Sequence, residues 1–286
     1  MIIVLGATGT IGQLLVKQLE QNNQEYVVIA RSVERAAKMF PAHLVRYGDL
    51  DNPQSLAEAL KGGSSLFLLS GHGEGMEAQQ HNAIDAATRA GIKRIVKISG
   101  CEASIGLHAK SETGREHYRI EQHLKQSTND HVILRCNFFM QNLLDQAATM
   151  VKSKNKIMMP FSKDTIFSFI DAQDIAACAA QALVEEKYSG KTFYLTGHPS
   201  SFLELSKNLS QHLPKPVTYK KVPLWLVKIV MRLKGNSARH IRHQLEMAKL
   251  FMLGAGTKST KNVNEILGQS PITLNDFIKR SINHFQ

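Results

Sequence analysis

Three glycines at a strand-to-helix junction constrain the fold of this chain more than any other feature. Residues 2–5 (Ile-Ile-Val-Leu) form a wholly apolar run rich in β-branched residues, typical of a strand buried on both faces of a parallel sheet. Gly6, Gly9 and Gly12 follow, and residues 14–21 then carry an apolar helical face. The glycines therefore lie on the strand-to-helix turn where a dinucleotide fingerprint belongs.

Each glycine has its own expected purpose in such a turn. Gly6 permits a tight exit from the strand, Gly9 lets the backbone approach a pyrophosphate, and Gly12 lets the helix pack close to the sheet. The helix N-terminus offers unpaired N–H groups and a positive dipole end to the phosphates. An ordinary βα turn is the alternative, because the spacing G-x-x-G-x-x-G differs from the common G-x-G-x-x-G. The cofactor-binding residues predicted here are Gly6, Ala7, Thr8, Gly9, Thr10, Ile11 and Gly12.

The end of the second predicted strand, residues 26–30, bears on the choice of cofactor. NAD-binding chains carry an Asp or Glu there for the ribose 2′-hydroxyl, about 20 residues beyond the last glycine. This chain has Arg31 and Ser32 instead. A guanidinium can form two parallel hydrogen bonds with a 2′-phosphate. We therefore predict a preference for NADP(H) over NAD(H), with Arg31, Ser32 and Arg35 near the phosphate; an exposed loop cation is the alternative.

Strands and helices continue to alternate up to about residue 135. Strands are predicted at 44–47, 65–70, 93–99 and 131–135, and helices at 54–61, 76–90 and 111–126. This alternation predicts an α/β fold with a doubly wound parallel sheet. Ligands bind at the carboxyl ends of such strands. Residues at and just after the carboxyl ends of three of the strands complete the predicted cofactor site: Gly48, Asp49, Leu50, Leu69, Ser70, Gly71, Ser99 and Gly100.

Helices dominate the rest of the chain, where only 166–170, 192–195 and 217–221 are strand candidates. We predict a dinucleotide-binding domain over 1–150, to which about 165–195 also contributes, and a smaller, mostly helical substrate lobe over 196–286. A helix at 223–233 contains the only tryptophan, Trp225. It is too short to span a bilayer, which takes about 20 residues, and we interpret it as a lid or a packed surface helix.

The positive charge of the chain is concentrated near its C-terminus. Of the net charge of +11, residues 201–286 contribute +10, from 14 Lys and Arg against 4 Asp and Glu. Such a region is a solvated basic face, or it attracts nucleic acid, a membrane surface, an acidic partner or an anionic small molecule. No zinc-finger, RNA-recognition or basic-zipper pattern accompanies it, so nucleic-acid binding is not favoured.

The cysteine content and the length of the apolar runs indicate the cellular compartment of the protein. Cys101, Cys136 and Cys178 are odd in number and scattered, which favours reduced, buried thiols and no metal site. The N-terminal residues show no secretory pattern, and no apolar run reaches the length of a membrane span. The sequence therefore predicts a cytoplasmic protein without membrane insertion.

Taken together, seven stretches resemble the NmrA-like group of atypical short-chain dehydrogenase/reductase proteins, which have a Rossmann fold. The stretches are residues 6–12, 30–32, 48–50, 91–99, 133–142, 169–175 and 273–278. The group includes NADPH-dependent quinone oxidoreductases, azo-dye and triphenylmethane-dye reductases, and nucleotide-sensing regulators. The resemblance implies a Rossmann fold that binds NAD(P), and it leaves the activity open.

One departure from ordinary short-chain dehydrogenases concerns their Tyr-x-x-x-Lys pair on the helix after strand five. Here Tyr118 is followed four residues later by Gln122, and the equivalent position carries His117, followed by Glu121. The missing pair argues against epimerase, dehydratase and alcohol dehydrogenase chemistry. It does not argue against hydride transfer to quinones or cationic dyes, which depends largely on positioning and exclusion of water.

His117 is the candidate catalytic residue, because an imidazole with an ordinary pKa near neutrality can supply a proton. A structural surface pair of His117 and Glu121 is the alternative. By resemblance, Asn137, Phe138 and Phe139 border the nicotinamide and the substrate, and an aromatic wall there would stack on a flat acceptor. A core role for either phenylalanine is equally open.

The sequence thus favours an NADPH-dependent reductase of quinone-like or dye-like aromatic acceptors. The alternative function is a non-catalytic, NADP(H)-sensing regulator of the NmrA-like type. A homodimer or a protein partner is compatible with both.

Overall fold

The computed structural model describes residues 1–127 and 129–286 and shows an α/β architecture. The strands are β1 (Ile2–Leu5), β2 (Tyr26–Ala30), β3 (Val45–Tyr47), β4 (Ser65–Leu68), β5 (Arg94–Ser99), β6 (Asp130–Cys136), β7 (Lys156–Met159), β8 (Ile166–Ser168), β9 (Thr192–Leu195), β10 (Pro199–Ser201) and β11 (Thr218–Lys221). The helices are α1 (Thr10–Gln21), α2 (Val33–Ala37), α3 (Pro53–Ala59), α4 (Met76–Arg89), α5 (Glu112–Gln126), α6 (Asn142–Lys154), α7 (Ala172–Val184), α8 (Phe202–His212), α9 (Leu224–Leu233), α10 (Ala238–Met252), α11 (Asn262–Leu267) and α12 (Leu274–Ser281).

The main sheet has seven parallel strands in the order β3-β2-β1-β4-β5-β6-β9. The strand order reverses between β1 and β4, and this reversal leaves a crevice at the carboxyl edge of the sheet. The predicted doubly wound parallel sheet is confirmed. The short candidate at 192–195 is its seventh strand.

Alternating side chains of the central strands pack against helices on both faces of the sheet. Ile2 and Val4 of β1 belong to one hydrophobic cluster, which α1 and α7 cover. Ile3 and Leu5 belong to the cluster on the opposite face, which α3, α4 and α5 cover. Full burial of a side chain of this size contributes roughly 1.5–3 kcal/mol, so the apolar sequence of β1 fixes it at the centre of the sheet.

A third hydrophobic cluster lies beyond the sheet and joins α6, β7, α8, α10 and α12. Its aromatic centre consists of Phe138, Phe161, Phe167, Phe169, Phe202 and Phe251. Two small sheets border it, β8 with β10 and β7 with β11. The strands β7 and β10 were not predicted. The two-lobe division of the chain remains a prediction.

Candidate cofactor and acceptor site

The glycine turn after β1 has the geometry of an anion-binding turn. Gly6 has a φ of +85°, and a Cβ there would lie 2.4 Å from the carbonyl oxygen of Leu69. A Cβ at Gly12 would lie 2.2 Å from the carbonyl oxygen of Gly6, so α1 approaches the strand as closely as glycine alone allows. Gly9 caps α1 without a side-chain hydrogen bond. The first N–H groups of α1 therefore have no side-chain cap and are available to an anion.

A cavity of about 350 Å³ runs from this turn along the carboxyl ends of β1, β2, β3 and β4. It brings together eleven of the predicted cofactor residues: Gly6, Thr8, Arg31, Ser32, Arg35, Gly48, Asp49, Leu50, Leu69, Ser70 and Gly71. Ala7, Ile11 and Gly12 are buried beneath the turn, while Gly9 and Thr10 are exposed at the start of α1. Ser99 and Gly100 lie after β5, outside the cavity lining.

Five lining residues were not predicted, namely Leu5, Ile29, Ala30, Asp51 and Gln79. The first three lie at the carboxyl ends of predicted strands, where ligands bind in such sheets, and this location could have identified them from the sequence. Gln79 comes from α4, and its amide donates to both carboxylate oxygens of Asp51 at 3.0 Å. This bond fixes the turn after β3 against α4, a contact between residues distant in sequence.

Neither Arg31, which follows β2, nor Arg35 of α2 pairs with the neighbouring carboxylate of Glu34. Ser32 caps α2, since its Oγ accepts from the backbone N–H of Arg35 at 3.3 Å. Glu34 pairs with Lys38 instead, at 3.8 Å. Arg31 and Arg35 are both exposed and line the cavity. Their guanidinium groups give this end of the cavity the charge that a phosphate needs.

A lysine that the sequence analysis missed lies at the centre of the sheet, near the other end of the site. Lys97 of β5 is completely buried. Its Nζ donates to Gln80 Oε1 at 2.8 Å and to the Ile98 carbonyl oxygen at 3.0 Å, and it lies 3.3 Å from His117 Nδ1. Burial lowers the pKa of Lys97 to about 7, because the charged form loses hydration.

The lysine contact determines the tautomer of His117. In its ammonium form Lys97 can only donate, so His117 Nδ1 then accepts from it and the ring proton resides on Nε2. Burial, together with the charge of Lys97, holds the pKa of His117 well below its usual range. His117 is therefore a neutral imidazole near pH 7 rather than one with a near-neutral pKa, and its catalytic role stays a prediction.

The alternative of a surface pair between His117 and Glu121 is wrong, because both side chains are buried on the inner face of α5. Glu121 instead accepts from Ser99 Oγ at 2.7 Å and from Arg135 Nη2 at 2.6 Å. The hydroxyl of Ser99 thus donates its hydrogen bond to a protein carboxylate. Gly100 leaves room beside the imidazole, since a Cβ there would lie 3.1 Å from His117 Cδ2.

The loop of residues 71–75 covers His117. His72 Nε2 lies 3.4 Å from His117 Nε2. Arg239 of α10 donates to the His72 carbonyl oxygen at 3.3 Å, to Glu116 at 2.7 Å and to Glu112 at 3.1 Å. The loop is therefore held between α5 and α10. His72 occupies the position that a substrate oxygen would need in order to contact His117 Nε2.

The three predicted substrate residues follow β6 and have different environments. The Asn137 amide donates to the Gly256 carbonyl oxygen at 2.9 Å and accepts from the Phe138 N–H at 2.8 Å. Phe138 packs edge-on against Phe167 within the aromatic cluster. Phe139 is half-buried. Phe138 thus has the core role that the sequence left open, and Phe139 is the ring with exposed surface.

The cysteines lie apart from these groups. All three are buried and free, and burial raises the pKa of each thiol. Within residues 1–127 and 129–286, no cluster of three or more His, Cys, Asp or Glu side chains is arranged to hold a metal ion.

The sequence and the fold of this chain are similar to those of several known proteins. The chain is 30% identical over 233 residues to the NAD(P)H azoreductase of Xenophilus azovorans, covering 81% of this chain and 80% of that one. The fold matches the triphenylmethane reductase of Citrobacter sp. complexed with NADP(H), with a TM-score of 0.86 and 24% identity over 98% of this chain and 99% of the other. It also matches an NADPH-dependent quinone oxidoreductase of Escherichia coli complexed with NADPH, with a TM-score of 0.87 and 23% identity over 99% and 100% of the two chains.

A model of the NmrA-like family covers residues 1–275, nearly the whole chain. The resemblance of the seven sequence stretches is thus confirmed, and the chain belongs to the NmrA-like family.

Proposed function

We propose that this protein is an NADPH-dependent reductase that transfers a hydride to a small aromatic acceptor of the quinone or dye type. The observation that carries the proposal is the buried contact between Lys97 and His117, beside the edge of the sheet where the cofactor cavity lies. The azoreductase, dye reductase and quinone oxidoreductase names of the similar proteins support the acceptor class.

The residues present fit an NADPH molecule along the crevice. The N–H groups at the start of α1 would hold the pyrophosphate, and the turn around Asp49 would border the adenine. Arg31 and Arg35 would hold the 2′-phosphate. The nicotinamide would then extend toward Gly100 and His117. When bound, NADPH supplies the hydride.

His117 and Lys97 would supply the proton that a quinone needs after it accepts a hydride. The neutral imidazole donates its Nε2–H to the acceptor oxygen as negative charge develops there. As that proton leaves Nε2, Nδ1 takes a proton from the Lys97 ammonium. The acceptor oxygen becomes a hydroxyl, His117 remains neutral with its proton on Nδ1, and Lys97 becomes a neutral amine.

This arrangement would allow quinone reduction without a Tyr-x-x-x-Lys pair on α5. The lysine comes from β5, and the donor is an imidazole rather than a phenol. A cationic triphenylmethane dye becomes neutral on accepting a hydride, so its reduction needs no proton. The same site therefore suits both acceptor types, provided that the loop carrying His72 moves aside.

The test is steady-state NADPH consumption by the purified protein with a panel of quinones, azo dyes and triphenylmethane dyes, with NADH for comparison. Saturable turnover with one acceptor class supports the proposal, and quinone turnover reduced at least about tenfold in His117→Ala supports the proton relay. An NADP(H)-sensing regulator is the alternative function. Tight NADPH binding without turnover above the protein-free rate for any acceptor would favour that alternative.

A further inference from the structure

Helix α9 exposes apolar side chains that a helix of a globular domain ordinarily turns inward. Trp225 is 63% exposed, Ile229 45% and Leu233 82%. These three residues are spaced by four, so they form one ridge along the helix. None of the ten residues of α9 is buried. An exposed apolar ridge of this kind marks a binding surface.

A basic ridge runs beside the apolar one. Lys228 and Arg232 are also spaced by four, and both are exposed. Between Glu204 and Glu246 the chain contains nine Lys and Arg and no Asp or Glu. The α9 surface therefore combines apolar area with a local positive field that no acidic residue of this segment offsets.

We propose that α9 binds the surface of an anionic lipid bilayer. Interfacial helices place tryptophan and leucine at the boundary between headgroups and acyl chains, with Lys and Arg against the lipid phosphates. The two ridges of α9 supply these groups side by side. Within the described part of the chain, no helix is long and apolar enough to cross a bilayer, so the association is peripheral.

An anionic bilayer fits this surface better than the other basic-surface partners. A nucleic acid would neutralise Lys228 and Arg232 but leave the ridge of Trp225, Ile229 and Leu233 in water. A second copy of this chain would cover the apolar ridge but bring two basic ridges together. Only an anionic, amphipathic surface satisfies both ridges at once.

The location of α9 connects this surface to the proposed site. Residues 234–237 join α9 to α10, and α10 carries Arg239, which holds the loop over His117. Lipid-soluble quinones would reach this side of the molecule from the bilayer; that consequence rests on the proposed function, whereas membrane binding itself does not.

The only tryptophan of the chain lies on the proposed surface and reports on it directly. Trp225 fluorescence is measured while the protein is titrated with phosphatidylcholine vesicles, with and without equimolar phosphatidylglycerol, at low and high salt. We expect a blue shift with the anionic vesicles, quenching by brominated acyl chains, and weaker binding in high salt. NADPH and acceptors are omitted, so the result is independent of the reductase proposal.

Paired variants separate the two ridges. Lys228→Gln/Arg232→Gln is expected to weaken vesicle binding about thirtyfold, since each cation near an anionic surface contributes roughly 1 kcal/mol. Ile229→Ser/Leu233→Ser is expected to weaken it at least about tenfold. The controls Lys17→Gln/Arg89→Gln and Met39→Ser/Val184→Ser change exposed residues elsewhere and should bind as the wild type. Unchanged unfolding temperatures and NADPH affinity establish that each variant is folded.

Three results would overturn the proposal. The first is a Trp225 spectrum that anionic vesicles leave unchanged. The second is a blue shift that depends on protein concentration without lipid, which assigns the ridge to a second copy. The third is a response to single-stranded RNA but not to vesicles, which assigns the surface to nucleic acid.

Discussion

Lys97 Nζ lies 3.3 Å from His117 Nδ1, and this contact decides which nitrogen of the imidazole presents a proton to the site. Both side chains are buried, and a charge on either of them is therefore energetically unfavourable. The remaining Lys97 partners, Gln80 Oε1 and the Ile98 carbonyl oxygen, are neutral acceptors. Burial lowers the pKa of Lys97 to about 7, and burial together with the charge of Lys97 holds the pKa of His117 well below its usual range.

The first prediction concerns pH. The relay needs the ammonium form of Lys97, and that form is lost as the pH rises through its pKa of about 7. We expect kcat for quinone reduction to fall above this pH, approaching tenfold per pH unit. Reduction of a cationic dye should lack this dependence. Lys97→Met should lower quinone turnover and flatten the profile; a profile unchanged in that variant would contradict the relay.

The second prediction concerns cofactor choice. Arg31→Ala removes a guanidinium at the end of β2 that has no competing bond to Glu34. We expect the NADPH dissociation constant to rise roughly tenfold to a hundredfold, because a hydrogen bond to a charged group contributes about 1.5–3 kcal/mol. NADH binding should be nearly unchanged. Isothermal titration with both cofactors measures the difference, and Arg89→Ala is the matched control. Equal losses for NADH and NADPH would remove the 2′-phosphate assignment.

The third prediction separates binding from folding within the glycine turn. A Cβ at Gly9 would meet only the Gly6 carbonyl oxygen, at 3.5 Å, so Gly9→Ala should fold normally. It should weaken NADPH binding by about tenfold or more, because the methyl group occupies space beside the helix N-terminus. Gly12→Ala should instead lower the unfolding temperature, since its Cβ would collide with backbone. Thermal unfolding with and without NADPH distinguishes the two variants. Normal NADPH affinity in Gly9→Ala would place the pyrophosphate elsewhere.

The fourth prediction concerns the loop over His117. Arg239 is mostly buried and pairs with Glu116, so Arg239→Gln leaves that buried carboxylate without its cation. We expect a loss of about 3–5 kcal/mol in the free energy of unfolding and faster proteolysis at residues 71–75. Arg242→Gln, at a more exposed position that also pairs with Glu112, is the control and should have little effect. Protection of the loop equal to that of the wild type would show that Arg239 does not hold it.

The sequence alone was sufficient where the determining contacts are local. The glycine turn and the alternation of strands and helices show in patterns of a few neighbouring residues, and the structure contains both as expected. Arg31 and Asp49 were predicted as cofactor residues because they follow strands of that regular pattern, and both line the cavity. The strand β7 was missed because its pairing partner, β11, is supplied by a distant segment.

The ionisation states in the site depend on contacts between residues distant in sequence, which could not be predicted. Lys97 was predicted only as one residue of the strand at 93–99, and its buried partners Gln80 and His117 come from two different helices. The pKa of His117 was misjudged for the same reason, because enclosure by Lys97 and His72 cannot be inferred from α5 alone. Long-range packing thus decided the ionisation states.

The position of His72 has a consequence for the order of events in time. The crevice that would hold the adenosine half of the cofactor is already open, whereas His72 covers the donor nitrogen of His117. The adenosine half of a cofactor can therefore enter without loop movement, and an acceptor cannot. We expect a compulsory sequence in steady-state kinetics, with NADPH binding first and NADP⁺ leaving last. Product inhibition by NADP⁺ would then be competitive toward NADPH and noncompetitive toward the acceptor.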